Sequence, residues 1–185
     1  MDAFKIENGI LEKYTGKDAE VVIPDGVTKI NESAFEQNKK LKKVVIPASV
    51  TYIGEWAFHE CKKLKEIVFE PGSRLEELAG YVFWDCHSLV NVTLPAGIAR
   101  MGEWVFYGDK LLETVTFSQK LAAPLMRGPN DGITFPDGAH PFTECRVLNK
   151  IYLPARLKAD VEKVIPLLPT EKHSLERDVI VDNDL

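Results

Sequence analysis

Apolar residues return along this chain at fixed places, separated by polar stretches of nearly constant length. Residues 21–43, VVIPDGVTKINESAFEQNKKLKK, are followed at once by VVIPASVTYIGEWAFHECKKLKE, and the two segments superpose without a gap at a period of 23 residues. Phe35, Phe58, Phe83, Phe106 and Phe142 mark the same place in five successive units, with intervals of 23, 25, 23 and 36 residues. Three residues after each Phe stand Asn38, Cys61, Cys86, Asp109 and Cys145, and three further on Leu41, Leu64, Leu89, Leu112 and Leu148. Val44, Ile67, Val92, Val115 and Ile151 follow, and then, two places later, Ile46, Phe69, Leu94, Phe117 and Leu153. A single unit of this size cannot bury its apolar side alone, so units must stack and share one core.

The pattern Leu-x-x-Val-x-Ile turns alternate side chains inward and predicts one strand per unit, stacked in a parallel sheet. Pro24, Pro47, Pro95 and Pro154 follow these strands and stop them, because proline has no N–H for the ladder. The return path carries Ile53, Ala57 and Leu64 at roughly helical spacing. Before the first unit, FKIENGILEKY alternates around Asn8-Gly9 and predicts a hairpin that caps the array. After the last, Leu157, Val161, Val164 and Leu168 share one helical stripe and predict a C-terminal helical cap, ended or kinked by Pro166. The charged tail beyond it offers only Val179–Val181 as a short strand. Turn signals at Gly128-Pro129, Asp131-Gly132 and Asp137-Gly138 place an inserted loop at about 118–139. The expectation is a single domain: cap over 1–20, repeats over 21–154, cap and tail over 155–185.

The unit IPASVTYIGEWAFHECKKLKEI, with its neighbours over about residues 21–154, resembles the BspA-like (Treponema-type) leucine-rich-repeat family. Asn31 and Ala79 depart from the glycine usual after the Ile position. The resemblance implies an α/β repeat solenoid, a right-handed superhelix with its parallel strands on the concave face. It also implies a non-enzymatic role in protein interaction or adhesion, often on bacterial surfaces.

Composition narrows the chemistry. A formal charge of −5 argues against nucleic-acid binding, which usually needs a basic face. No apolar run approaches the roughly 20 residues of a membrane span. The start, MDAFKIENG, has neither a basic nor an apolar leader segment, which suggests a cytoplasmic protein or one whose export signal has been removed. Three cysteines are too few and too odd for a disulfide framework; all three fall in one inward column, where a free thiol packs as a small apolar group. His59, His87, His140 and His173 belong to no nucleophile–base motif, and no phosphate-cradling glycine loop is present. No catalytic residue, metal or cofactor is therefore assigned, and a monomer is expected.

Two surfaces remain as candidates. Trp56, Tyr81 and Trp104 stand two places before their Phe residues, and His59, Trp84 and Tyr107 one place after, so six rings gather on neighbouring columns of the convex side. Such a patch suits interface anchors or ring stacking on a glycan, and equally a structural ladder at the edge of the core. The concave sheet offers Val45, Val68, Thr93, Thr116 and Tyr152, beside the charged column of Lys43, Glu66 and Lys150. A protein partner is the first expectation and a carbohydrate, held by the aromatic patch, the alternative; a structural segment of a larger protein is a third.

Overall fold

Asn8 and Gly9 both adopt the left-handed conformation, with φ of 51° and 76°, as a two-residue primed turn requires. They join β1 (Phe4–Glu7) to β2 (Ile10–Tyr14) in the antiparallel hairpin predicted for the N-terminus. In this computed structural model residues 3–118, 140–154, 157–158 and 178–181 are described.

After the hairpin the chain winds through repeated turns, and among the described residues four of them carry two parallel strands, one longer and one shorter. The longer strands are β3 (Glu20–Val22), β5 (Lys43–Ile46), β7 (Glu66–Phe69), β9 (Asn91–Leu94), β11 (Thr114–Phe117) and β12 (Lys150–Leu153). Between them lie the two-residue strands β4 (Lys29–Ile30), β6 (Tyr52–Ile53), β8 (Glu77–Leu78) and β10 (Arg100–Met101). The hairpin strand β2 founds the sheet of short strands, pairing with β4, which pairs with β6, then β8 and β10. Leu11, Ile30, Ile53, Leu78 and Met101 thereby form one buried column. The register on the long-strand side is the 23-residue period itself: Val44 faces Val21 on one neighbour and Ile67 on the other.

The core is built around a stack of rings. Phe35, Phe58, Phe83, Phe106 and Phe142 are fully buried, with successive centroids 4.8, 5.3, 5.4 and 5.8 Å apart. Tyr14 and Phe4 of the hairpin continue this stack, 5.0 and 4.9 Å further on, so the cap supplies the missing first rings. Burying each ring contributes roughly 1.5–3 kcal/mol of transfer free energy. The Tyr14 hydroxyl reaches the rim and donates to Asp18 at 2.7 Å; burial, and then Asp18, push its pKa up to about 12.

The return segment is not helical, and among the described residues the fold is all β rather than α/β. Ser33, Trp56, Tyr81 and Trp104 hold left-handed φ of 53°, 54°, 62° and 51°, and four residues later Gln37, Glu60, Asp85 and Gly108 do so again. Two such residues per return stop any helix. Alternate N–H groups donate to the next turn instead: Trp56 to Gly80, Phe58 to Val82 and Glu60 to Trp84, at 3.3, 2.9 and 2.8 Å. The segment therefore stacks as a strand does, by bonds between turns.

The long strands also part company once. β3, β5 and β7 make one sheet, and β9, β11, β12 and β13 (Asp178–Val181) another, so the parallel ladder expected to run unbroken divides between β7 and β9. The division falls where the 25-residue interval inserts Pro71 and Gly72 after β7, with Gly72 at φ 83°. β13 realises the short strand read in the tail and pairs in parallel with the outer edge of β12. No helix is an element of the described residues: of the predicted C-terminal cap, Leu157 is buried, and Val161, Val164, Pro166 and Leu168 lie outside them. The loop placed at about 118–139 also lies outside them, except Ser118, whose N–H donates to Leu94.

Candidate functional site

The left-handed turns decide where the aromatic side chains go. Trp56, Tyr81 and Trp104 sit on the first left-handed residue of three consecutive returns, a conformation that costs a bulky residue about 1–2 kcal/mol. His59, Trp84 and Tyr107 lie three residues on. All six predicted rings are half-buried, and the structure brings them together in one stripe. Trp56 stacks on Tyr81 at 5.6 Å, and Tyr81 meets Trp84 at 5.4 Å. Trp104 is edge-on to both Tyr81 and Trp84, and Tyr107 contacts Trp84 and Trp104 at 5.3 and 5.4 Å. His59 tilts against Trp84 at 5.3 Å, with its Nδ1 3.3 Å from Glu36. Each ring is thus fixed by others while remaining partly exposed.

Four groups beside the stripe were not singled out from the sequence. Tyr52, Glu55, Gly80 and Glu103 join Trp56 and Tyr81 in lining a notch of about 550 Å³. Tyr81 donates to Glu103 at 3.4 Å, and Lys29 sits 4.8 Å from the centre of the Tyr52 ring. Burial raises the pKa of Tyr52 and of Tyr81, and the surrounding carboxylates raise both further: Glu77, Glu55 and Glu32 around Tyr52, Glu103 and Glu55 around Tyr81. The column two places after the buried Ile position, Glu32, Glu55, Gly80 and Glu103, was the available signal.

The long-strand side presents the predicted residues at their predicted places. Val45, Val68, Thr116 and Tyr152 are half-buried and Thr93 is exposed. Lys43 bonds Glu66 on the adjacent strand at 2.9 Å, and its neighbour on the other side is Glu20. Lys150 pairs in register with Asp178. A cleft of about 500 Å³ opens on this side where the ladder divides, lined by Val68, Phe69, Pro71, Thr93, Pro95 and Ala96 among others.

The cysteine column is interior. Cys61, Cys86 and Cys145 are fully buried and unlinked, and each thiol donates to a Phe carbonyl of the preceding turn: Phe35 at 3.1 Å, Phe58 at 3.2 Å and Phe106 at 2.9 Å. Burial pushes the Cys61 thiol up to about 12 and the Cys86 thiol well above its ordinary value. Asp109 stands in this column between Cys86 and Cys145, fully buried, with neither carboxyl oxygen hydrogen-bonded. Burial holds its pKa well above the usual carboxylate range; the nearby Cys86 N–H opposes this and Asp85 adds to it. Among the described residues no group of three or more His, Cys, Asp or Glu could hold a metal ion, and no helix is long and apolar enough to cross a membrane.

Comparison with known proteins bears on the fold. A family profile for the BspA type leucine rich repeat region matches residues 5–123 in six copies. The crystal structure of a T. pallidum leucine rich repeat protein is 28% identical, with a TM-score of 0.59 over 84% of this chain and 87% of that one. A leucine rich cell surface protein from Faecalibacterium prausnitzii is 26% identical, with a TM-score of 0.65 over 93% of this chain and 39% of that longer one. A leucine-rich repeat protein from Bacteroides capillosus, 23% identical with a TM-score of 0.53 over 63% of this chain and 99% of that one, shares the fold. No curated protein sequence matches this chain.

Proposed function

We propose that this chain, which belongs to the BspA-type leucine-rich-repeat family, is a non-enzymatic scaffold that binds another protein through the aromatic stripe. The observation that carries the reading is the placing of Trp56, Tyr81 and Trp104 on left-handed residues while each keeps part of its surface open to solvent. A rung needed only for structure is served at lower cost by Ser33, which holds the same position in the first unit. Local strain of this kind, retained by large side chains at a surface, points to use of that surface. Tryptophan and tyrosine, already ordered by their neighbours, lose little rotamer freedom when a partner covers them. The crossed rings, edge-on at Tyr81–Trp104 and Trp84–Trp104, favour a protein over a glycan, because a sugar stacks best on flat faces lying side by side. An adhesin-type setting gains support from the cell surface protein among the structural relatives.

The test is the triple substitution of Trp56, Tyr81 and Trp104 by Ala. Partners crosslinked to the wild-type chain are identified, purified and titrated against both forms, with far-UV circular dichroism and a urea midpoint confirming the fold. Loss of binding in a folded triple variant is expected. A folded variant that binds its purified partner unchanged overturns the reading and moves attention to the long-strand side.

A further inference from the structure

The notch beside Trp56 exists because one rung of an acidic column is missing. Glu32, Glu55 and Glu103 occupy equivalent places in three units, and the unit between the last two has Gly80 instead. A Cβ on Gly80 would meet nothing nearer than the Glu103 carbonyl oxygen at 3.5 Å, so the space above it is open. Tyr52, Trp56 and Tyr81 supply ring surfaces to this space, and Glu55 and Glu103 stand on the turns either side of it. The chain's own cations are committed nearby: Arg100 pairs with Glu77, and Lys29 covers Tyr52. Glu55 and Glu103 have no cationic partner among the described residues.

We propose that the Gly80 notch receives an arginine side chain of the protein partner, its guanidinium lying against the Trp56 and Tyr81 rings and donating from opposite edges to Glu55 and Glu103. This deepens the scaffold reading and rests on it. The two carboxylates belong to turns flanking a third, so their backbones stand roughly 10 Å apart, twice the spacing of paired strands. A planar group with donors along both edges spans such a gap, and arginine stacks on aromatic faces while it does so. A lysine ammonium is a point charge and reaches one carboxylate at a time. Lys29 over Tyr52 is the intramolecular precedent, one column away, for a cation on these rings.

The test uses the full chain labelled with 15N and the peptide Ac-Gly-Arg-Gly-NH2, followed through the Trp56 indole N–H resonance. The Lys and citrulline peptides serve as comparisons. A saturable shift with the Arg peptide is expected, several-fold weaker with Lys and lost with citrulline, which keeps the shape without the charge. Glu55→Gln with Glu103→Gln should weaken Arg binding at least tenfold. Gly80→Leu, a side chain the column's other rungs already tolerate in length, should abolish it with both carboxylates intact. Equal response to Arg and citrulline, or an unchanged affinity in the double Gln variant, overturns the proposal. Partner binding that is lost on removing the three rings but unaffected by the double Gln and Leu variants also overturns it, and leaves the scaffold reading standing.

Discussion

Asp109 is the rung of the cysteine column that breaks its own rule, so replacing it by Cys should stabilise the protein. Three thiols in this column each satisfy a Phe carbonyl of the preceding turn, and the corresponding acceptor for position 109 is Phe83. The native carboxyl is fully buried and makes no hydrogen bond. Leaving such a group unsatisfied costs about 1–3 kcal/mol, and a thiol–carbonyl bond restores part of the remainder. A gain of about 2 kcal/mol at pH 7 follows, or roughly 4–8 °C in Tm for a chain of this length. The pH dependence carries the diagnosis. Because burial raises the carboxyl's pKa in the folded state, the native protein holds a proton there that the unfolded chain releases near the ordinary carboxylate value. The wild type's stability from protonated Asp109 is thus fully present below about pH 4 and is lost as pH rises toward the folded value. The advantage of Asp109→Cys should accordingly be smallest near pH 4 and grow toward pH 7. Urea unfolding of both forms at a series of pH values, followed by tryptophan emission, measures this. An equal midpoint at pH 7, or a gain that does not vary with pH, would refute the argument by showing that the carboxyl has found a partner.

Phe58→Ala removes a ring held between Phe35 and Phe83 and should cost about 3–5 kcal/mol, read as a fall of about 10 °C in Tm. Gly102→Ala places a Cβ 2.5 Å from the Gly80 nitrogen and 2.6 Å from the Ala79 carbonyl carbon, both backbone, and should destabilise by about 1–3 kcal/mol; Gly80→Ala meets only ordinary contact and should stay within about 0.5 kcal/mol. A thiol reagent such as DTNB should leave Cys61, Cys86 and Cys145 untouched in the native state and titrate three equivalents in urea.

The repeated columns made much of the fold legible, because a period of 23 residues is set by the geometry of one turn and each inward place must be apolar. Asn8-Gly9 announced the hairpin for a local reason, since few other pairs accept two left-handed residues. The return segment was misread because Ile53, Ala57 and Leu64 satisfy a helical spacing and a stacked turn equally well. What separates the two is left-handed backbone at Trp56 and Glu60, which no propensity for these residue types reveals. The division between β7 and β9 was written in the 25-residue interval, though an interval does not say whether two residues bulge or part a ladder. At the candidate site the six rings came straight from their columns. The notch did not, because it depends on what Gly80 lacks beside carboxylates that read as an ordinary solvated face.

The parting of the long strands also sets how this rod bends. The short-strand sheet passes the same point intact through the β6–β8 pairing, and the Phe58–Phe83 stack bridges it inside. On the other side no ladder joins β7 to β9. Stiffness is therefore unequal around the axis at this point: the molecule yields here in one direction, opening its long-strand side like a book along a spine made by β6 and β8. A pulling or bending load applied across the whole array would be taken up first at this line, between the third and fourth long strands, before any hydrogen bond elsewhere is strained.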